Sequence, residues 1–242
     1  PEFDEVLSTV ADTDIVVCMA GGNNYSSSYM NTHNNDLPLT SNPDNGVVGS
    51  PSSYTNALSV ASVDNLSILS QYLQVGDSKF AVVAPGYGNP LSMLAEKGDM
   101  QYVVLGDPET GEGIYGSPED FPTGGDYSNS VAVISRGGGL SFAEKGDNTA
   151  AAGFAGMVVY NNQSGTFAMT MVDATIPGRM LPCGSVTSYV GSQLVAAAKD
   201  NGGGFLTGTI SFSAKEGDIP SETAWRMSQF SSWGTTPDLK IK

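Results

Sequence analysis

The chain has one histidine (His33), two cysteines and two tryptophans, and only 10 lysines and arginines in 242 residues. A single imidazole leaves no histidine-based metal cage, and near His33 only Asp36 offers a further ligand. The few basic residues face 25 acidic ones, for a formal charge of −15. A phosphate backbone would repel such a chain and no basic stripe offsets this, so nucleic acid is not an expected partner. Anionic membrane surfaces are disfavoured on the same ground. No apolar run approaches the ~18 residues a membrane span needs, so no membrane insertion by this segment is expected. Cys18 sits in an apolar run and reads as a small hydrophobe. Cys183 falls in a segment assigned below to a different domain, so no disulfide between them is expected. Few cysteines do not exclude export. The acidity reads first as solubility. No cofactor is expected; calcium binding by a parent protein stays open, but no D-x-D-x-D-G run assigns a metal site.

A hydrophobic fraction of 40% supports a packed core, and 30 glycines with 14% charged residues suggest many turns and short strands. Pro1-Glu2-Phe3 reads as a cloning scar. In Asp4–Ala11, Val6, Leu7 and Val10 have helical spacing. Ile15–Met19 (IVVCM) is a continuous apolar run, expected to be a buried parallel-type strand, ending at Ala20-Gly21-Gly22-Asn23-Asn24. In open α/β sheets, ligands gather at that carboxyl end. Tyr25–Gly49 reads as a long surface loop and Ala57–Val63 as a second strand. The middle differs. Phe80–Val83, Gln101–Leu105, Val131–Ser135, Gly156–Tyr160 and Gly208–Phe212 read as short strands; Ser141–Ala152 and Val186–Asp200 read as helices. In the second helix Val190, Leu194, Val195, Ala197 and Ala198 form the apolar face. The fold class is therefore α/β, with a β-rich barrel or sandwich inserted between two halves of an α/β portion. The boundaries fall at 4–75, 76–215 and 216–242.

Ile15–Asn23 (IVVCMAGGN) resembles the strand and turn of subtilisin-like serine proteases that carry the oxyanion asparagine. Gly49-Ser50-Pro51 with Ala57–Asn65 (ALSVASVDN) is similar to that family's pocket-lining turn and next strand. Phe230-Ser231-Ser232-Trp233-Gly234 resembles its F-S-x-x-G turn, and Thr236–Lys240 fits the opening of the run that follows. The three motifs keep the family's order. Gly21, where alanine is frequent, and Asn24 depart from its pattern. Ala84-Pro85-Gly86 looks like a family triplet but precedes the F-S-x-x-G turn, so it is read as an ordinary turn. The resemblance implies that Asn23 is the oxyanion donor and that Met19, Ala20 and Gly21 form one wall of the primary specificity pocket. An N–H fixed at that position stabilises the oxyanion of the transition state more than the ground-state carbonyl.

Val131–Asn162 is similar to the core of a protease-associated (PA) domain: strand, Arg-Gly turn, Phe-x-x-Lys helix, second strand. Asn148-Thr149 stands where that pattern has Asn-Ala. Ala150, Ala151, Ala152 and Gly153 are expected to let helix and sheet approach closely, and Arg136 is given a structural role. None of the family's D-(T/S)-G, H-G-T-H or G-T-S motifs is present; Asp12-Thr13-Asp14 is out of order and His33 reads as a solvated loop residue. Acyl transfer needs serine, base and orienter together, so the chain alone is expected to be inactive. The resemblance implies a segment of an extracellular or cell-envelope endopeptidase of a Gram-positive bacterium, similar to lactocepin-type proteases. Its partners would be protein or peptide substrates and the remainder of the catalytic domain. Two other readings are a non-catalytic PA-type interaction module and a carbohydrate-binding domain. The latter would rest on Trp225 and Trp233, a thin aromatic platform.

Overall fold

The computed structural model describes residues 2–22, 48–171, 181–200, 204–226, 228 and 231. The chain folds into two compact units, one formed by Pro1–Leu66 with Ser221–Lys242 and the other by Ser67–Pro220.

The first unit contains helix α1 (Glu2–Ala11) and strands β1 (Cys18–Ala20) and β2 (Leu58–Val60), which pair in parallel with Met19 opposite Ser59. Leu7 is the buried residue of α1; Val6, expected on the same apolar face, is exposed. Phe3 stacks on Tyr54 with ring centroids 5.7 Å apart. The expected five-residue buried strand Ile15–Met19 needs correction. Only its end enters β1, Ile15 and Val16 are 64% and 73% exposed, and Cys18 is exposed rather than a core hydrophobe. The reason is neighbours: among the described residues β1 has one partner strand, β2, and a parallel strand is buried only when elements cover both its faces.

The second unit is built on a mixed sheet. Its strands are β4 (Tyr72–Val75), β5 (Ser78–Ala81), β6 (Met100–Val104), β7 (Ser130–Ser135), β8 (Gly156–Tyr160), β9 (Cys183–Val186) and β11 (Leu206–Phe212). Their order is β5-β4-β11-β6-β7-β8-β9, with β10 (Lys199–Asp200) also paired to β11. β6 to β9 run parallel, while β4, β5 and β11 pair antiparallel. The sheet is nearly closed: Val83, just past β5, exchanges both backbone hydrogen bonds with Ser185 of β9, at 2.9 and 3.0 Å. Two strands outside this sheet, β3 (Ser67–Ser70) and β12 (Gly217–Pro220), pair antiparallel where the chain enters and leaves the unit.

The apolar runs of β6, β7 and β8 are continuous because both faces are covered. Tyr102, Val104, Val131, Val133 and Val158 join one core cluster with Leu194 and Ile210. The alternate residues Val103, Ala132, Ile134, Met157 and Val159 join a second cluster with Phe154 and Met169. The period of two along a pleated strand produces this division.

Helix α2 (Phe142–Ala151) follows β7 and starts with a reciprocal cap. The Ser141 hydroxyl accepts from Glu144 N at 3.2 Å, and the Glu144 carboxylate accepts from Ser141 N at 2.7 Å. Close approach comes not from the expected Ala150–Gly153 stretch but from Gly146, where an added Cβ would lie 2.6 Å from Met171 Cε. Helix α3 (Ser188–Ala197) is capped by Thr187 and buries Val190 and Leu194. It stops short of the expected Asp200 because Lys199 and Asp200 pair with β11 instead.

Gly208 faces Tyr102 across β11 and β6. A Cβ there would sit 2.4–2.5 Å from the ring, which is fully buried and donates its hydroxyl to Leu194 O at 2.8 Å. The ring has nowhere to move. Gly208→Ala is therefore expected to cost about 1–3 kcal/mol by overpacking, read as a lower guanidinium unfolding midpoint with an unchanged slope.

Candidate functional site

Within the first unit, backbone hydrogen bonds assemble a Gly-rich cradle at the carboxyl end of the β1–β2 pair. Gly21 N donates to Val60 O, and Gly21 O accepts from Gly49 N, both at 2.8 Å. The chain leaving β1 is thus held on one side by β2 and on the other by the Gly49-Ser50-Pro51 turn. A Cβ on Gly49 would lie 3.7 Å from Gly21 O, and Gly22 has φ 100, a value suited to glycine. Below the turn Ser52 is fully buried and its hydroxyl bonds that of Ser59 on β2.

Of the expected site residues, Met19 is half-buried on β1, Ala20 is exposed at its end and Gly21 is buried in the cradle. Asn23 lies outside the described residues, as do His33, Trp233 and the run Thr236–Lys240. Among the described residues no group of three or more histidine, cysteine or acidic side chains clusters in a way that would hold a metal.

A polar latch joins the strand segment to the returning chain in this unit. Ser228 Oγ donates to Asp64 Oδ1 at 2.7 Å and lies 3.0 Å from Ser62 Oγ; Ser231 Oγ accepts from Ser62 N at 2.8 Å. Asp64 N donates to Arg226 O and Ser228 N to Ser62 O, at 2.9 and 3.0 Å. The Asp64 carboxyl is held below its ordinary pKa by hydrogen bonds from Thr223 and Ser228, with the Arg226 charge adding to them. The sequence motifs give no role to Asp64, Ser62 or Ser228 in joining these segments.

In the second unit the notable side chains lie at the carboxyl ends of β7 and β8. Arg136 donates from its guanidinium to Asn161 Oδ1 at 3.2 Å and lies 4.8 Å over the Phe167 ring. Lys145 on α2 is fully buried and donates to Tyr115 O, and Asn148 Nδ2 donates to Gly116 O at 3.0 Å. Cys18 and Cys183 are both free; burial pushes the Cys183 thiol up to about 12, so it is an inert core group.

Residues 97–194 match the PA domain family. The chain is 30% identical over 200 residues to the Minor extracellular protease Vpr of Bacillus subtilis (strain 168), an alignment covering 82% of this chain and 23% of that protein. It is 29% identical over 211 residues to the C5a peptidase of Streptococcus pyogenes serotype M3 (strain ATCC BAA-595 / MGAS315), covering 85% and 16%. Against the PII-type proteinase of Lacticaseibacillus paracasei it is 27% identical over 207 residues, covering 82% and 10%. The chain therefore spans less than a quarter of the length of these curated relatives.

Proposed function

Taking as premise that this chain carries a PA domain and that its homologues are subtilisin-like proteases, we propose that it is one segment of a secreted or cell-wall-associated serine endopeptidase. In this reading the first unit supplies the oxyanion side of the cleft. Asn23 is the oxyanion donor, and Met19, Ala20 and Gly21 line the primary specificity pocket. The second unit controls which substrates reach the cleft. The catalytic Asp, His and Ser come from the rest of the parent protein. Substrates are proteins or peptides, the protein is extracellular or attached to the envelope of a Gram-positive bacterium, and no cofactor takes part in the chemistry.

The observation that carries the reading is the cradle at Gly21 and Gly49. Two motifs far apart in sequence meet there through backbone hydrogen bonds, leaving small residues where a substrate backbone needs room. The latch from Ser62 and Asp64 to Ser228 and Ser231 supports it as well. It joins the ALSVASVDN strand to the F-S-x-x-G turn, which follows that strand closely in the family, although more than 160 residues separate them here.

Two measurements test the proposal. The isolated chain should hydrolyse neither casein nor a peptide p-nitroanilide, because it carries no nucleophile–base pair. In the full-length protein, deleting residues 80–213 should raise kcat/KM for a folded protein substrate relative to a tetrapeptide. Unchanged ratios would remove the access role, and hydrolysis by the repurified chain would remove the segment reading.

A further inference from the structure

Beyond the cradle, the second unit holds a cavity of about 320 Å³ at the carboxyl ends of β7 and β8. Arg136 is its one charged lining residue, Leu140 and Phe142 are apolar, and Asn162 and Gln163 are amides. Gly137 and Gly139 complete the wall. Gly137, Gly138 and Gly139 all have positive φ, at 116, 72 and 74. A side chain is excluded at Gly138, where a Cβ would lie 2.5 Å from Tyr115 Cβ, and crowded at Gly137, where one would meet Asn162 Nδ2 at 3.3 Å. The loop therefore stays thin and the cavity open.

The guanidinium in this cavity is pre-positioned. The Phe167 ring supports one face of it, and Asn161 Oδ1 fixes one N–H. Asn161 is itself 3% exposed and anchored through Nδ2 to Gly165 O at 2.9 Å. That bond to Asn161 uses one of five donors. Among the described residues no carboxylate pairs with Arg136. Glu144 on α2 accepts from the backbone N–H of Ser141. The guanidinium is thus held rigidly with no carboxylate partner among the described residues. A planar fork held in place is the arrangement that recognises a carboxylate bidentately at low entropic cost. The adjoining amides suit the next peptide group, and Leu140 and Phe142 suit its side chain.

We propose that this cavity binds a peptide through a carboxylate, with Arg136 as the anchoring residue. The carboxylate is either a free chain end or an Asp or Glu side chain. The site deepens the access role of the second unit and rests on it only for its place in proteolysis. Binding is measured without any protease activity, so failure of the two ideas is distinguishable.

The test is a calorimetric titration of the 242-residue chain at low salt with three N-acetylated peptides. The first is Ala-Ala-Leu-Phe with a free C-terminal carboxylate, the second is the same peptide amidated, and the third is amidated Ala-Asp-Leu-Phe. At least one acid should bind tenfold or more tightly than the neutral amide, and which acid does so identifies the source. Arg136→Gln should abolish that preference with the unfolding midpoint retained. Should Arg136→Gln not fold, Arg136→Lys, which keeps the charge but not the fork, should weaken the preferred acid at least threefold. Equal binding of all three peptides, no binding at millimolar concentration, or an acid preference that survives in the folded variant overturns the proposal.

Discussion

Asn23→Ala in the full-length protein is expected to lower kcat by about 10²–10³-fold with KM nearly unchanged. That magnitude is the one measured for removing such a donor in a subtilisin. The split between kcat and KM follows from where the charge develops. The scissile carbonyl of the bound substrate is neutral and makes little use of the side-chain amide. The tetrahedral species carries a full negative charge on the same oxygen. An interaction made only in the transition state lowers kcat and kcat/KM together when it is lost. The chain leading to Asn23 is fixed: Gly21 is tied on both sides at 2.8 Å, and Gly22 takes a φ of 100. Asn24→Ala, one residue further on, should leave kcat within about threefold. Steady-state kinetics on a chromogenic peptide decide the matter. Full kcat in Asn23→Ala, or equal losses in the two variants, would remove the oxyanion role.

How much of this was legible in the sequence differs between the two units. In the second unit β8 occupies the expected Gly156–Tyr160, and β6 and β7 start one residue before the expected Gln101 and Val131. Those strands are covered on both faces, so their apolar runs are long and their ends are marked by glycine or polar turns. The strands β3, β4, β9 and β12 were not foreseen. Tyr72–Val75 has a single fully buried side chain, Leu73, and Cys183–Val186 (CGSV) is too short and small-residued to stand out. What places β9 is close approach: a Cβ on Gly184 would lie 2.6 Å from Val82 Cγ1 and 2.8 Å from Leu91 Cδ1, a constraint set by distant segments. The first unit shows the opposite mismatch. Ile15 and Val16 carry a strong strand signal, yet their burial depends on elements other than β2. Gly21, Gly49 and Ser50-Pro51 were legible as turn chemistry. The latch through Asp64 and Ser228 was not, because polar pairs separated by 164 residues leave no periodic trace.

Lys145 gives the second large effect, and its sign runs against the usual one for a lysine. Burial lowers its pKa to about 8, and the Asp120 and Glu144 charges only partly offset this. The unfolded chain titrates near the ordinary value of 10.5. Below pH 8 the lysine is charged in both states, and the folded state bears the whole cost of a buried ammonium, about 3 kcal/mol for a shift of this size. Between pH 8 and 10.5 the unfolded state binds more protons, so this group's contribution to stability rises with pH. Three other groups oppose it as pH climbs. Burial pushes Cys183 and Tyr102 up to about 12 and raises the Tyr160 hydroxyl too, so all three resist ionisation when folded and favour unfolding past their ordinary values. A pH profile of the unaltered chain mixes the four effects; comparison with Lys145→Met separates them, because the variant retains the other three. Methionine fills a similar volume but leaves Tyr115 O without its donor, a loss of about 1–3 kcal/mol. At pH 7 that loss and the relieved ammonium cost nearly cancel, so Lys145→Met should match or exceed the unaltered chain. By pH 10 it should fall behind, with the stability difference swinging by about 3 kcal/mol over the interval. Guanidinium unfolding of both proteins at pH 7, 8, 9 and 10 measures this directly. Parallel profiles would show that the Lys145 ammonium is solvated in the folded protein.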